Sequence, residues 1–171
     1  MAVIGRLNKS TLSAQQKRQV KKALSSSKKV VYVQADDTVA NASETHVAID
    51  NLSVPVEKNK VYKFECFLYF TANALGGAQA SLTGSTAVNF VTGAWLVDGA
   101  TASTPTSTVF TAITTESDAT EGTAASVLIR GTGTYSPSDD GVLKISGAQA
   151  ASHASNTVCK KGSWLSVEEI F

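Results

Sequence analysis

Apolar and polar residues alternate most regularly in residues 61–70, which read VYKFECFLYF. Every second residue of this segment is apolar or aromatic, and a period of two predicts a β-strand with one buried face. The other face carries two charged side chains and then Phe67 and Tyr69. We therefore expect a central strand of a β-sandwich whose second face is also covered at its far end, by another sheet, a loop or another subunit.

Short alternating segments, separated by turn residues, lie on both sides of this strand. Their spacing predicts further strands at residues 30–35, 45–49, 52–56, 78–83, 87–92, 94–97, 108–114, 124–135, 142–145, 157–159 and 163–171. We expect a bulge or tight bend at Gly131 and Gly133, and in the last strand Trp164 inside with Leu165 opposite it. Many short strands without a helix predict an all-β fold, an antiparallel β-sandwich or jelly-roll-like domain.

The N-terminus shows a different pattern. Residues 10–24 contain good helix formers without Gly or Pro and carry one narrow apolar stripe. Because so narrow a stripe does not hold a helix in water by itself, the segment is either a solvated tail or a peptide that folds against a partner. We divide the chain into a basic, partly helical arm at residues 1–29 and a β-sandwich domain at residues 30–171.

Charge separates the same two parts of the chain. The arm contains no Asp or Glu and eight cationic residues, namely Arg6, Lys9, Lys17, Arg18, Lys21, Lys22, Lys28 and Lys29. The rest holds seven Lys and Arg and all fourteen Asp and Glu, so an arm of charge +8 precedes a body of charge −7. Such an arm is attracted to nucleic acid, to an acidic protein surface or to the body of a neighbouring copy. Since it has no aromatic side chain to stack on bases, we expect a docking or anion-binding peptide, with nucleic acid the less favoured partner.

Residues with catalytic or metal-binding chemistry are few and scattered. The two histidines, His46 and His153, lie at no metal-ligand spacing, and neither a nucleophile elbow nor a phosphate loop is present. Two Asp-Asp pairs lie in predicted turns, where Asp serves local hydrogen bonding. We therefore expect no enzyme activity, no metal and no cofactor, and we expect Cys66 and Cys159 to be reduced and buried.

Length and composition fit one globular domain. The chain has 171 residues, 43% hydrophobic and 17% charged, which is enough to bury a sizeable core. No apolar run approaches the roughly 20 residues of a membrane span, and the N-terminus lacks the apolar segment of a secretory signal. We expect no membrane partner and assembly in a cytoplasm.

Two segments resemble a module of tailed-bacteriophage virion proteins, often found at the C-termini of tail-associated or capsid-decorating chains. The first reads NKVYKFE at residues 59–65 and continues through Leu68-Tyr69 to Gly76-Gly77. The second reads NTVCKKGSWLSVEE at residues 156–169, as a strand, a Gly-Ser turn and an aromatic-aliphatic strand. The resemblance covers roughly residues 45–171 and implies a β-sandwich structural module of a virion, commonly oligomeric.

With this resemblance, we expect an accessory virion protein that decorates or cements a bacteriophage capsid and is assembled in the host cytoplasm. The arm would dock on the major capsid protein or another virion protein. A homotrimer would form through exposed aromatic side chains at strand edges, with Phe67, Tyr69 and Trp95 as candidates.

Three alternative functions stay open. The first is a tail, neck or fibre component built on the same module. The second is a minimal jelly-roll capsid protein whose arm binds the packaged genome. The arm has only two Arg residues, which counts against this alternative. The third is a carbohydrate-binding or glycan-hydrolysing protein, for which the sequence offers no convincing carboxylate pair and only two Trp residues.

Overall fold

The computed structural model describes residue 13 and residues 28–40, 42–73, 75–84, 87–99, 105–117 and 126–171. The strands are β1 Lys29–Tyr32, β2 Asp37–Ala40, β3 Val47–Val56, β4 Tyr62–Thr71, β5 Gln79–Thr83, β6 Val88–Gly99, β7 Thr106–Phe110, β8 Val127–Pro137, β9 Gly141–Ala148, β10 Thr157–Cys159 and β11 Trp164–Glu169. Apart from residue 13, the helix predicted at residues 10–24 lies outside the described residues. Within the described ranges, no helix has the length and apolar character needed to cross a membrane.

The strands form two antiparallel sheets that share one core. The large sheet has the order β1-β11-β4-β8-β6-β7, and β10 joins it by pairing with both β4 and β2. The small sheet has the order β3-β9-β5. Because β4 lies between β11 and β8, the predicted central strand at residues 61–70 is confirmed, and so is the all-β antiparallel sandwich.

The core follows from the alternation of side chains. On β4, every second side chain from Tyr62 to Phe70 is buried, and the intervening ones are more exposed. The small sheet supplies the opposing apolar side chains Ile49, Leu52, Val54, Val56, Leu82, Leu143 and Ile145. Since each such side chain contributes about 1.5–3 kcal/mol when buried, this shared core is the main source of stability.

Gly131 and Gly133 on β8 occupy positions where no side chain fits. β8 pairs with β4 over nine consecutive residue pairs without a shift in register, so the predicted bulge or bend at these glycines is wrong. A Cβ atom would lie 2.3 Å from Cζ3 of Trp95 if added to Gly131, and 2.3 Å from the carbonyl oxygen of Thr92 if added to Gly133. The glycines therefore allow the indole and the backbone of β6 to approach β8 closely.

Several predicted strand boundaries differ from the structure. The predicted strands at 45–49 and 52–56 are the single strand β3, whose pairing with β9 shifts between Ala48 and Ser53. Asn51 adopts a φ of 65° within this irregularity, a left-handed conformation that Asn tolerates better than most residues. The predicted strands at 87–92 and 94–97 are likewise one strand, β6, and β2 lies where the pattern predicts no strand.

In the last strand, the side chains that face the core are not the ones predicted. Leu165 is fully buried, whereas Trp164 is half-buried on the other side of the sheet. The reason is register: Leu165 lies opposite Cys66, which belongs to the buried side of β4. Alternation alone distinguishes the two sides of a strand but does not show which one faces the core.

Candidate interaction face

The side of the large sheet that faces away from the small sheet forms one surface, here called the outer face. Directly opposed residues on antiparallel strands point to the same side. Strand pairing therefore joins a central row across five strands, made of Tyr32, Trp164, Phe67, Arg130 and Leu96. With strands about 4.8 Å apart, this row extends across about 19 Å of the sheet. Residues distant in sequence thus form one continuous line.

Ring contacts order the middle of the central row. The ring centroids of Phe67 and Trp164 lie 6.4 Å apart, and their planes differ by 8°. The guanidinium carbon of Arg130 lies 5.6 Å from the centroid of the Phe67 ring, a cation–π contact that contributes about 0.5–1 kcal/mol at an exposed site. Phe67 therefore helps to hold the Arg130 guanidinium against the sheet in the isolated chain.

Further apolar side chains of the outer face surround the central row. Tyr69 is 38% exposed, and its hydroxyl shares a hydrogen bond of 2.9 Å with that of Ser126. Val30 and Val109 are 38% and 74% exposed, and Tyr32 of the central row itself is 53% exposed. Contiguous exposed apolar surfaces of this kind are typical of interaction sites. Trp, Tyr and Arg, which are all present here, are the residue types that dominate binding energy at interfaces.

The charged side chains of the outer face include one ion pair and two separate groups. Lys63 and Glu65 form an ion pair of 2.7 Å, and their hydrogen bond raises the pKa of Lys63 and lowers that of Glu65. Arg130 and Asp98 lie at diagonal positions on β8 and β6, since their register partners are two residues apart. Within the part of the chain that the structure describes, neither Arg130 nor Asp98 belongs to an ion pair.

An open groove of about 220 Å³ ends the outer face at β1, the edge strand of the large sheet. It is lined by Lys28, Val30, Tyr32, Trp164 and Ser166. Lys28 and Lys29 are the two arm cations within the described residues. They show that the arm joins the sandwich beside the aromatic row.

The predicted self-association residues have different outcomes. Phe67 and Tyr69 lie on the outer face, where a partner can reach them. The prediction that Trp95 is exposed at a strand edge is wrong, because its indole is fully buried and its Nε1 donates a 3.1 Å hydrogen bond to the carbonyl oxygen of Thr115. Alternation on β6 turns Trp95 inward and Leu96 outward, so Leu96 occupies the outer face instead. Six predicted arm residues lie outside the described ranges: Arg6, Lys9, Lys17, Arg18, Lys21 and Lys22.

Sequence reasoning missed Leu96, Arg130 and Trp164 as members of this surface. For Arg130, the sequence does contain a signal that its side chain points outward, namely Gly131 and Gly133. Two glycines at i and i+2 mark the side of a strand where another group approaches closely, so the residues between and beside them must point the other way. For Trp164 and Leu96, only pairing with distant strands decides which side is outward.

His46, just before β3, lies between Ser81 of β5 and Glu116 in the segment after β7. Its Nδ1 is 2.9 Å from Oγ of Ser81, and its Nε2 is 3.1 Å from Oε1 of Glu116. Ser81 is 3% exposed, and next to it the amide of Ser117 donates a 2.8 Å hydrogen bond to the carbonyl of Ala80. Because the Ser81 side chain is enclosed, the contacts of Ser81, His46 and Glu116 hold the segment after β7 against β5 rather than presenting a nucleophile.

Both cysteines are buried and unpaired, as predicted. Burial raises the pKa of the Cys66 thiol to about 12 and that of the Cys159 thiol to about 11. Both therefore remain protonated and poorly nucleophilic at neutral pH. The described residues bring together no group of three His, Cys, Asp or Glu side chains that could hold a metal ion.

Comparison with known proteins adds no family. No family model matches the chain, and no curated protein matches it. Matching solved structures include infectious bursal disease virus, Gx strain, at 13% identity and a TM-score of 0.21, over 85% of this chain and 42% of that one. A mutant VP2 protein of the same virus, in derived particles, matches at 12% identity and a TM-score of 0.25, over 86% and 40%. TM-scores this low do not indicate a common fold, and this chain spans less than half of the length of those chains, so neither match carries an argument about function.

Proposed function

We propose that this chain is a non-enzymatic structural protein of a bacteriophage virion, which decorates or cements the capsid and docks through its basic arm. The observation that carries the proposal is the outer face, a continuous aromatic and aliphatic surface beside the point where the arm joins the sandwich. Exposed apolar surfaces with aromatic and Arg side chains are typical of protein–protein contacts. The partners would be the major capsid protein or another virion protein, and further copies of this chain in a homotrimer.

The virion setting rests on the resemblance of residues 45–171 to the tailed-phage module. The charge distribution supports docking by the arm: a +8 segment is drawn to an acidic shell, whereas a −7 body is repelled by one. Arm and body then have separate tasks. The arm attaches the chain to the particle, and the sandwich forms the layer outside it.

A second candidate function is a capsid protein whose arm neutralises packaged genome. The eight cations of the arm favour it, because each phosphate contact would release a counterion and make binding steeply salt-dependent. The two candidates differ in what the purified protein forms. Decoration predicts a small oligomer without nucleic acid, whereas shell formation predicts very large particles that carry nucleic acid, and light scattering with ultraviolet absorbance after size exclusion separates the two. A tail, neck or fibre component would bind isolated tails instead of capsids.

Removal of residues 1–27 tests the docking role of the arm. Because β1 begins at Lys29, we expect the shortened chain to keep the circular dichroism and unfolding transition of the full chain but to lose co-sedimentation with purified capsids. A matched variant keeps the length of the arm and replaces Lys17, Arg18, Lys21 and Lys22 by Gln; it should also lose binding. Unfolding of the shortened chain, or undiminished capsid binding by either variant, would contradict the proposal.

A further inference from the structure

We propose that the outer face is the surface through which copies of this chain bind one another, with Arg130 of one copy pairing with Asp98 of the next. This inference deepens the homo-oligomer part of the proposed function and does not depend on which particle the arm binds. From the sequence, self-association could be linked only to single aromatic residues; the outer face adds a defined surface and an ion pair between copies.

Charge balance on the outer face favours a second copy as its occupant. On β1, β11, β4, β8 and β6, and at Lys28 just before β1, the described charged side chains of this face are three cations and three anions: Lys28, Lys63, Arg130, Glu65, Asp98 and Glu168. Lys28 belongs to the arm, so the body itself contributes two of these cations and all three anions. A face this close to neutral on a body of charge −7 is where two copies approach with the least repulsion. An acidic shell would attract the arm instead of this face.

Arg130 and Asp98 are arranged to pair between copies. Arg130 is held over Phe67, and both charged side chains are exposed. Their diagonal positions on neighbouring strands place the two residues about 7–8 Å apart, and they form no ion pair with each other. Each therefore has a charge to offer a second copy, and a guanidinium can bind a carboxylate through two parallel hydrogen bonds. A two-fold contact would contain two such pairs, and a ring of three copies would contain three.

The size of the outer face suits a reversible contact. Six strands give a width of about 24 Å, and three rows of outward side chains give a length of about 20 Å. The face therefore offers roughly 500 Å² per copy, or about 1,000 Å² for two copies, which is the lower limit for a specific interface. The oligomer should accordingly dissociate on dilution.

A charge swap tests the proposed pair. Sedimentation velocity of the full chain over a concentration series should show that Arg130→Asp and Asp98→Arg each weaken self-association by about tenfold or more, because each places like charges together. The double variant, which exchanges the two charges, should return to within about threefold of the parent chain. Lys144→Glu is the matched control, since Lys144 is exposed on β9 of the small sheet; it should leave self-association unchanged.

Several outcomes would overturn the inference. They are a parent chain that stays monomeric at all concentrations, single variants that behave like Lys144→Glu, and a double variant no better than the single ones. Thermal unfolding of each variant excludes loss of fold as the cause. Co-sedimentation with capsids separates this inference from the proposed function: Arg130→Asp should still bind through its arm. If Arg130→Asp instead keeps self-association and loses capsid binding, the outer face binds the capsid and the inference is wrong.

Discussion

A methyl group at position 131 probes the close packing of β8 against β6. A Cβ atom there would lie 2.3 and 2.7 Å from Cζ3 and Cε3 of Trp95, and 2.8 Å from Sγ of Cys66. The two distances to carbon are at least about 0.8 Å below the 3.5–4.0 Å at which carbon atoms attract each other best, and the distance to the larger sulfur atom is also too short. Trp95 is fully buried and Cys66 is 3% exposed, so neither can move aside easily. We expect Gly131→Ala to lower the free energy of unfolding by at least about 3 kcal/mol, the upper end of the usual cost of overpacking.

A second substitution tests whether the indole causes this loss. Trp95→Leu alone should cost about 3–4 kcal/mol, because it leaves a cavity and removes the hydrogen bond to the carbonyl of Thr115. In the double variant the new methyl group occupies space that the ring has left. The double variant should therefore be more stable than the sum of the two losses predicts, by at least about 1.5 kcal/mol.

Equilibrium unfolding in urea, followed by far-ultraviolet circular dichroism, gives the free energy for each variant. Thr132→Ala is the control: Thr132 is the next residue on β8, and its side chain is exposed on the outer face, so it should cost less than about 1 kcal/mol. A Gly131→Ala variant within about 1 kcal/mol of the parent chain, or losses that add without coupling, would refute the packing argument.

Two further predictions concern polar groups. Gln149 is fully buried, and its side-chain amide forms hydrogen bonds with the backbones of Ser43, His153 and Ser155. Because those backbone groups would lose their partner, Gln149→Leu should lower the free energy of unfolding by about 3 kcal/mol in the same urea titration. A loss below about 1 kcal/mol would contradict this prediction. The hydrogen bond from Lys160 lowers the pKa of Asp36, so the stability it adds is complete above about pH 4 and is lost as the pH falls through the lowered pKa. The difference in stability between the parent chain and Asp36→Asn should therefore shrink from about pH 6 to about pH 3, and a constant difference would contradict this account.

Sequence patterning predicts the fold best where a segment is long and strongly alternating. β4 has ten residues with aromatic or aliphatic side chains at every second position, which leaves little choice of structure. The short last strand shows the opposite case. Trp164 and Leu165 are both apolar, so either could face the core, and only pairing with β4 decides.

The candidate surface could be predicted only in part, for a related reason. Phe67 and Tyr69 follow from the alternation of one strand. The central row also needs Tyr32, Arg130 and Leu96, which come from strands far apart in the chain. Long-range register creates that row, and no local pattern contains it.

The arm continues directly into β1, and this connection determines how the sandwich would respond to force. All four residues of β1 pair with β11, from Lys29 opposite Val167 to Tyr32 opposite Trp164. A pull on the arm along the strand would load these backbone hydrogen bonds side by side, so that they must break together. A pull across the sheet would load them one after another and peel the strand away. A tethered copy should therefore resist shear along β1 far better than lifting, and the direction in which the arm leaves its anchor would decide how firmly the protein holds.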